Sequence, residues 1–334
     1  MMDTVMSKVK GRLMQKRWLV GLLFVLAALA GCGDPPAQSW QLTEKGGLIA
    51  ASLDANAEHV VLGTVMHGGS LWRLSDEARL HDWNHSEENF SLFVATAITA
   101  DGRLAATAER NSIAAWEVET GRPGGIWKTE GGVRKLALSA NGRWLMAGLF
   151  DGVATLVDLQ QGRSIGRIRH GHVLNAVVLD DEGETAVTGS DDGKVQVWNL
   201  ADATELHAWE YPSAITAMAL APDGVRLFIA RAHGKGEIRD LNSGRILGEI
   251  GMDRTTVVSA RFSADGRRLL TGLPAGRLIL WDVRSGAQLA EWNAPDSDWI
   301  RPTIRVPLDV AFDEAGRRVV GVFSDGSVLA WSYR

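Results

Sequence analysis

The sequence is short of cysteine, tyrosine and proline, and each shortage narrows what the chain can be. One cysteine, Cys32, among 334 residues rules out an internal disulfide, so folding proceeds without covalent staples. Two Tyr stand against 13 Trp, and 9 Pro against 37 Gly. That balance suits a chain with many tight turns and one large side chain recurring at a fixed structural position. No G-x-S-x-G elbow, H-E-x-x-H helix, phosphate loop, calcium loop or paired C-x-x-C is present, so catalytic residues, metal ligands and cofactors are all expected to be absent. His170-Gly171-His172 reads as a turn rather than a metal pair, and Gly234-Lys235-Gly236 opens no helix.

Long apolar runs are also missing. The apolar stretch at residues 18–29 has 12 residues, whereas a transmembrane helix needs roughly 20. It follows a basic segment (Lys8, Lys10, Arg12, Lys16, Arg17) and has the length of a signal-peptide core. Directly after it, Leu29-Ala30-Gly31-Cys32 resembles the lipobox of bacterial lipoproteins. That resemblance implies that Leu29, Ala30 and Gly31 are read by the signal peptidase and that Cys32 is acylated and becomes the new N-terminus. Acyl chains contribute about 0.8 kcal/mol per buried methylene, so three of them make a permanent anchor. Gly33 after the lipidated residue favours the periplasmic side of the outer membrane over the inner membrane by the same resemblance. The expected organisation is a signal peptide at 1–31, a lipidated tether at 32–38 and one domain at 39–334. Loss of 1–31 leaves 30 basic against 39 acidic side chains, a net charge of −9. Nucleic acid is therefore not an expected partner.

What is present is a repeat. Trp72, Trp116, Val157, Trp198, Arg239, Trp281 and Trp331 mark one row, with spacings of 44, 41, 41, 41, 42 and 50. Trp40, Trp83, Trp127, Ile168, Trp209, Ile250 and Trp292 mark a second, with spacings of 43, 44, 41, 41, 41 and 42. A period of 40 to 45 residues is that of propeller blades. Asp101-Gly102, Asn141-Gly142, Glu182-Gly183, Asp223-Gly224 and Asp265-Gly266 keep the same beat and signal hairpins. Each period thus reads as four antiparallel strands, a to d from the centre outward. Ten Trp fall in the two rows and are assigned to the core, while Trp144 sits at a strand-b position that reads as half-exposed. The chain stops just after the last strand c, and Ser39-Trp40-Gln41-Leu42 carries a strand-d beat with no blade before it. Pairing the two would close the ring and cover an open edge.

These repeats resemble the tryptophan-aspartate (WD) repeat family over nearly all of residues 39–334. The fourth repeat matches best, with Gly171-His172, then Val187-Thr188-Gly189-Ser190-Asp191-Asp192-Gly193, then Trp198-Asn199. The resemblance implies an all-β, seven-bladed propeller. It also implies a structural hydrogen-bond tetrad of His172, a hydroxyl of Thr188 or Ser190, Asp192 and Trp198.

The function expected from this reading is a protein-interaction scaffold in the bacterial envelope. It would act as a monomer within a complex, held at the membrane by its lipid and bound to unidentified envelope proteins. The alternatives are a propeller enzyme of lactonase or quinoprotein type, or a periplasmic small-ligand sensor. Candidate partner-binding residues lie in the strand b to c turns and d to a connections: His67, Arg110, Phe150, His233 and Phe323. Eight extra residues within 293–305 add Trp299, Ile300 and Arg301 to that face, residue types enriched at interface hot spots.

Overall fold

Short apolar runs that alternate with polar residues, separated by tight turns, produce 28 strands and no helix among the described residues. The computed structural model describes residues 35–333 apart from 43–46, 65–67, 87–90, 253–254, 296–303 and 314. The strands form seven four-stranded antiparallel sheets. Six of these are consecutive in sequence: blade 1 at 48–83, blade 2 at 95–128, blade 3 at 133–169, blade 4 at 174–210, blade 5 at 215–250 and blade 6 at 259–293. Blade 7 combines three strands of 307–332 with Gln38–Gln41 as its outer strand. The molecule is a seven-bladed β-propeller, and Pro36–Arg334 forms one compact unit.

Ring closure follows the expected pairing. Trp40 pairs with Val328 and Gln41 with Ser327, and backbone bonds from Ala37 to Ala330 (2.7 Å) and from Leu42 to Gly326 (3.1 Å) extend the ladder at both ends.

The hydrophobic core is not central. It is divided into seven clusters, each lying between two neighbouring blades. This is how a sheet four strands wide buries both of its faces. The row tryptophans supply much of the area: Trp83 and Trp116 stack with centroids 5.2 Å apart, and all ten are buried or half-buried. Trp83 and Trp127 also donate their indole N–H to Gly121 O (3.2 Å) and Gly162 O (2.9 Å) of the next blade. The Asp-Gly turn at Gly102 takes φ +70°, and Asp101 Oδ1 accepts the Arg103 N–H at 3.1 Å, which closes the strand a to b hairpin.

Trp144 corrects the expectation of half-exposure. It is 5% exposed and fits beneath the a to b turn of blade 4, where a Cβ on Gly183 would lie 2.5 Å from its Cδ1. The Arg143 guanidinium covers its ring at 4.5 Å. The indole packs against a neighbouring blade, a contact that its own strand cannot reveal.

Candidate functional site

Strand direction places every b to c turn and d to a connection on one face, around the mouth of a central channel lined by the seven a strands. On that face, three side chains from two blades meet. Arg110 lies in the b to c turn of blade 2, and its carbonyl accepts the Val133 N–H at 2.7 Å, at the start of strand a of blade 3 (Val133–Leu138). Phe150 lies in the b to c turn of blade 3. Between them is Gly132, where a Cβ would stand 3.3 Å from Phe150 Cδ2 and 3.7 Å from Arg110 Cγ. A glycine is what lets the two approach. Arg134, on the same strand a, sets its guanidinium 5.8 Å from the Phe150 ring centroid. Phe150 is 55% exposed, and both arginines are exposed.

Neither arginine makes an ion pair with the described residues. The nearby acids are engaged elsewhere: Glu130 pairs with Arg167, Asp151 Oδ1 accepts the Val153 N–H at 3.2 Å, and Glu109 accepts from the Ser112 hydroxyl at 3.0 Å. The mouth thus presents an exposed aromatic ring with two arginines close by that are not ion-paired with the described residues, a surface suited to acidic and apolar groups together. A metal-dependent propeller enzyme would instead need carboxylates converging there.

The other expected residues are scattered. His233 is exposed in the b to c turn of blade 5, where its carbonyl accepts from the Ser213 hydroxyl at 3.2 Å, and it does not join the group. Phe323 is a correction: it is 0% exposed, packed edge-on to Trp331 with centroids 6.3 Å apart, so it contributes to the core and not to a binding face. Strand b of blade 7 (Arg318–Phe323) still holds this residue inside the sheet, one position before the turn begins. His67, Trp299, Ile300 and Arg301 lie outside the described residues, as do Leu29, Ala30, Gly31 and Cys32. Arg134 was not among the expected residues. Its signal, an exposed arginine at the first outward position of a strand, is shared by too many surface arginines to single it out.

The tetrad of blade 4 also needs correcting. His170, not His172, turns inward: its Nε2 lies 2.7 Å from Thr188 Oγ1 and its Nδ1 4.0 Å from Asp192 Oδ1. His172 is exposed, and only its carbonyl takes part, accepting from Ser190 Oγ at 3.0 Å. The backbone N–H of His170 is tied to Gly152 O of blade 3 at 2.8 Å, and that anchor aims its ring across the blade boundary. Asp192 receives the Gly171 N–H at 3.2 Å, while the Trp198 indole N–H is buried without a partner among the described residues.

The more complete network is in blade 2. Trp116 Nε1 donates to Thr107 Oγ1 at 2.8 Å, and that hydroxyl is 2.9 Å from His85 Nε2. His85 Nδ1 is 2.7 Å from Ser112 Oγ, which donates to Glu109 at 3.0 Å. One assignment of protons satisfies every partner: Thr107 donates to Nε2 and Nδ1–H donates to Ser112, so His85 is the neutral Nδ1–H tautomer. Burial pushes the His85 pKa down against the pull of Glu109, in keeping with that neutral form.

Among the described residues, Asp54, Glu58 and His59 bring ligand atoms within 4.8 Å of one another. Asp54 is already spent on the N–H groups of Glu58 (2.8 Å) and His59 (3.0 Å) and on His59 Nδ1 (3.0 Å), so the group is a turn rather than a metal centre.

Residues 162–199 match the family model described as WD domain, G-beta repeat. The chain is similar to autophagy-related protein 16 of Arabidopsis thaliana, 26% identical over 51% of this chain and 34% of that protein. It is similar to a guanine nucleotide-binding protein subunit beta of Solanum tuberosum, 24% identical over 60% of this chain and 56% of that one. It also resembles the small ribosomal subunit protein RACK1 of Drosophila melanogaster, 27% identical over 35% and 40% respectively. The chain thus spans between about a third and little more than half of the length of these relatives.

Proposed function

We propose that this WD-repeat propeller is a non-enzymatic binding platform that takes an acidic segment of a protein partner at the mouth formed by Arg110, Arg134 and Phe150. The observation that carries the reading is the exposed Phe150 ring with the Arg134 guanidinium beside it and Arg110 across Gly132, neither arginine ion-paired with the described residues. Aromatic and arginine side chains dominate interface energetics, and an unneutralised cationic patch steers acidic partners. Relatives that are named as subunits of larger assemblies fit the same role. In the cross-linked protein, Arg110→Ala with Phe150→Ser is expected to weaken partner capture about 30-fold, equivalent to about 2 kcal/mol. Because both side chains are exposed, unfolding stability should stay within about 1 kcal/mol. Capture by the double variant at wild-type level removes the mouth from the interface.

The platform is further proposed to be a lipoprotein of the bacterial envelope, carried on the periplasmic side of the outer membrane by an acylated Cys32. The support is the basic segment, the apolar run and Leu29-Ala30-Gly31-Cys32 in that order. Metabolic labelling with an alkyne-bearing palmitate should mark the wild-type chain and be lost in Cys32→Ser. Label retained in that variant refutes the anchor.

A further inference from the structure

The channel beneath the mouth has a volume of about 300 Å³, room for about ten waters. Its wall consists of strand-a residues from all seven blades, most of them small or aliphatic, and three of the channel-lining residues are charged: Lys135, Arg261 and Asp309. The last two satisfy one another. Arg261 pairs with Asp309 at 3.0 Å and donates to the carbonyls of Leu53 (2.9 Å) and Asp54 (3.0 Å). Asp309 also accepts the N–H groups of Leu53 and Val310, both at 2.8 Å. These bonds tie blades 6, 7 and 1 together around the channel. They also consume the carboxylate that could have neutralised the third group.

Lys135 is left over. It lines the channel from blade 3, half-buried, and makes no hydrogen bond or ion pair with the described residues, which leaves its ammonium without a counter-charge in a confined, partly desolvated space. Burial pushes its pKa down, Arg134 adds to the fall, and the more distant Asp309 opposes it. Ser52 and Thr96 are bonded to each other at 3.0 Å, and Asn175 donates to Asp191 and to Ile215 O, so these polar groups of the wall are occupied, while Thr216 Oγ1 of blade 5 has no partner among the described residues. Arg134 and Lys135 are consecutive, one at the mouth and one in the channel. An anion drawn in by the first is delivered to the second.

We propose that Lys135 is a receptor for a carboxylate lowered into the channel from the mouth. A carboxylate there supplies the missing counter-charge and accepts the ammonium's hydrogen bonds, and a channel of about 300 Å³ has room for it. Two sources share this chemistry: an acidic side chain of the partner segment and a free small dicarboxylic acid. The first rests on the function proposed above, whereas the receptor itself does not.

The test uses the full chain carrying lysine labelled with ¹³C at Cε, with the Lys135 signal identified by its loss in Lys135→Met. The Lys135 signal is expected to titrate below the other lysines and to move up by about one pH unit on addition of glutarate or a hexaglutamate peptide. A midpoint unmoved by both carboxylates overturns the receptor. Movement with glutarate alone overturns the peptide source and assigns the channel to free acids. In the Arg110→Ala, Phe150→Ser double variant, the peptide response should be lost and the glutarate response kept. A peptide response retained there overturns the mouth reading and supports the receptor. Lys135→Met is a fold control as well: removing an unpaired, half-buried charge should leave the melting temperature equal or higher, and glutarate should no longer raise it. Equal stabilisation of both proteins by glutarate counts against the site.

Discussion

Deletion of residues 33–42 is expected to lower the melting temperature by about 10 °C, while deletion of 33–36 alone leaves it within about 1 °C. The longer deletion removes the outer strand of blade 7. Four residue pairs between Gln38–Gln41 and the last strand are lost, together with the flanking bonds from Ala37 and Leu42. Leu42 is 6% exposed and Trp40 half-buried, and both pack into the cluster that joins blade 7 to blade 1 through Leu48, Leu62, Ala311 and Val328. Losing them opens a void at the one blade boundary where the two ends of the domain meet, a penalty of about 4 kcal/mol on the scale of large core deletions. It also bares the edge of Ser327–Ser332, an apolar strand with free N–H and C=O groups. Calorimetry with light scattering reads both effects, and the longer deletion should scatter on heating. Two deletions that melt together would mean that the strand contributes nothing to closure.

Thr107→Val in blade 2 is expected to cost about 3 kcal/mol, measured by urea denaturation, and Thr107→Ser about 1 kcal/mol. Valine keeps the shape but leaves two buried groups without partners, the Trp116 indole N–H and His85 Nε2. Each unsatisfied group costs about 1–3 kcal/mol. Serine restores the hydroxyl at the expense of one methyl group. Thr107 is 0% exposed, so water cannot replace the lost bonds. Blade 7 provides the internal contrast, because Gly321 stands where blade 2 has Thr107 and the Trp331 indole N–H is buried without a partner among the described residues. A loss below 1 kcal/mol for Thr107→Val would show that blade 2 tolerates the same vacancy and that the network does not hold it together.

The period of 41 to 44 residues, the two tryptophan rows and the Asp-Gly beat were enough to specify seven blades of four strands and the pairing of Trp40 with the last strand. These are properties of local sequence. A turn that needs positive φ and a strand that needs one apolar side write themselves into the residues that make them. Which of two neighbouring side chains turns inward is a different kind of fact. His170 and His172 are two residues apart, and the backbone bond from His170 to blade 3 selects between them. His85 follows the last strand of blade 1 yet completes the network of blade 2. Phe323 looks like a turn residue until strand b holds it one position deeper. Arg110, Arg134 and Phe150 meet because two blades press together over Gly132, and Lys135 lacks a partner among the described residues because Asp309, 174 residues later, is already bound to Arg261. Contacts between blades depend on how the closed ring brings distant repeats side by side, which repeat spacing alone does not encode. The repeat was therefore readable from the chain, and the mouth and the channel charge were decided by tertiary structure.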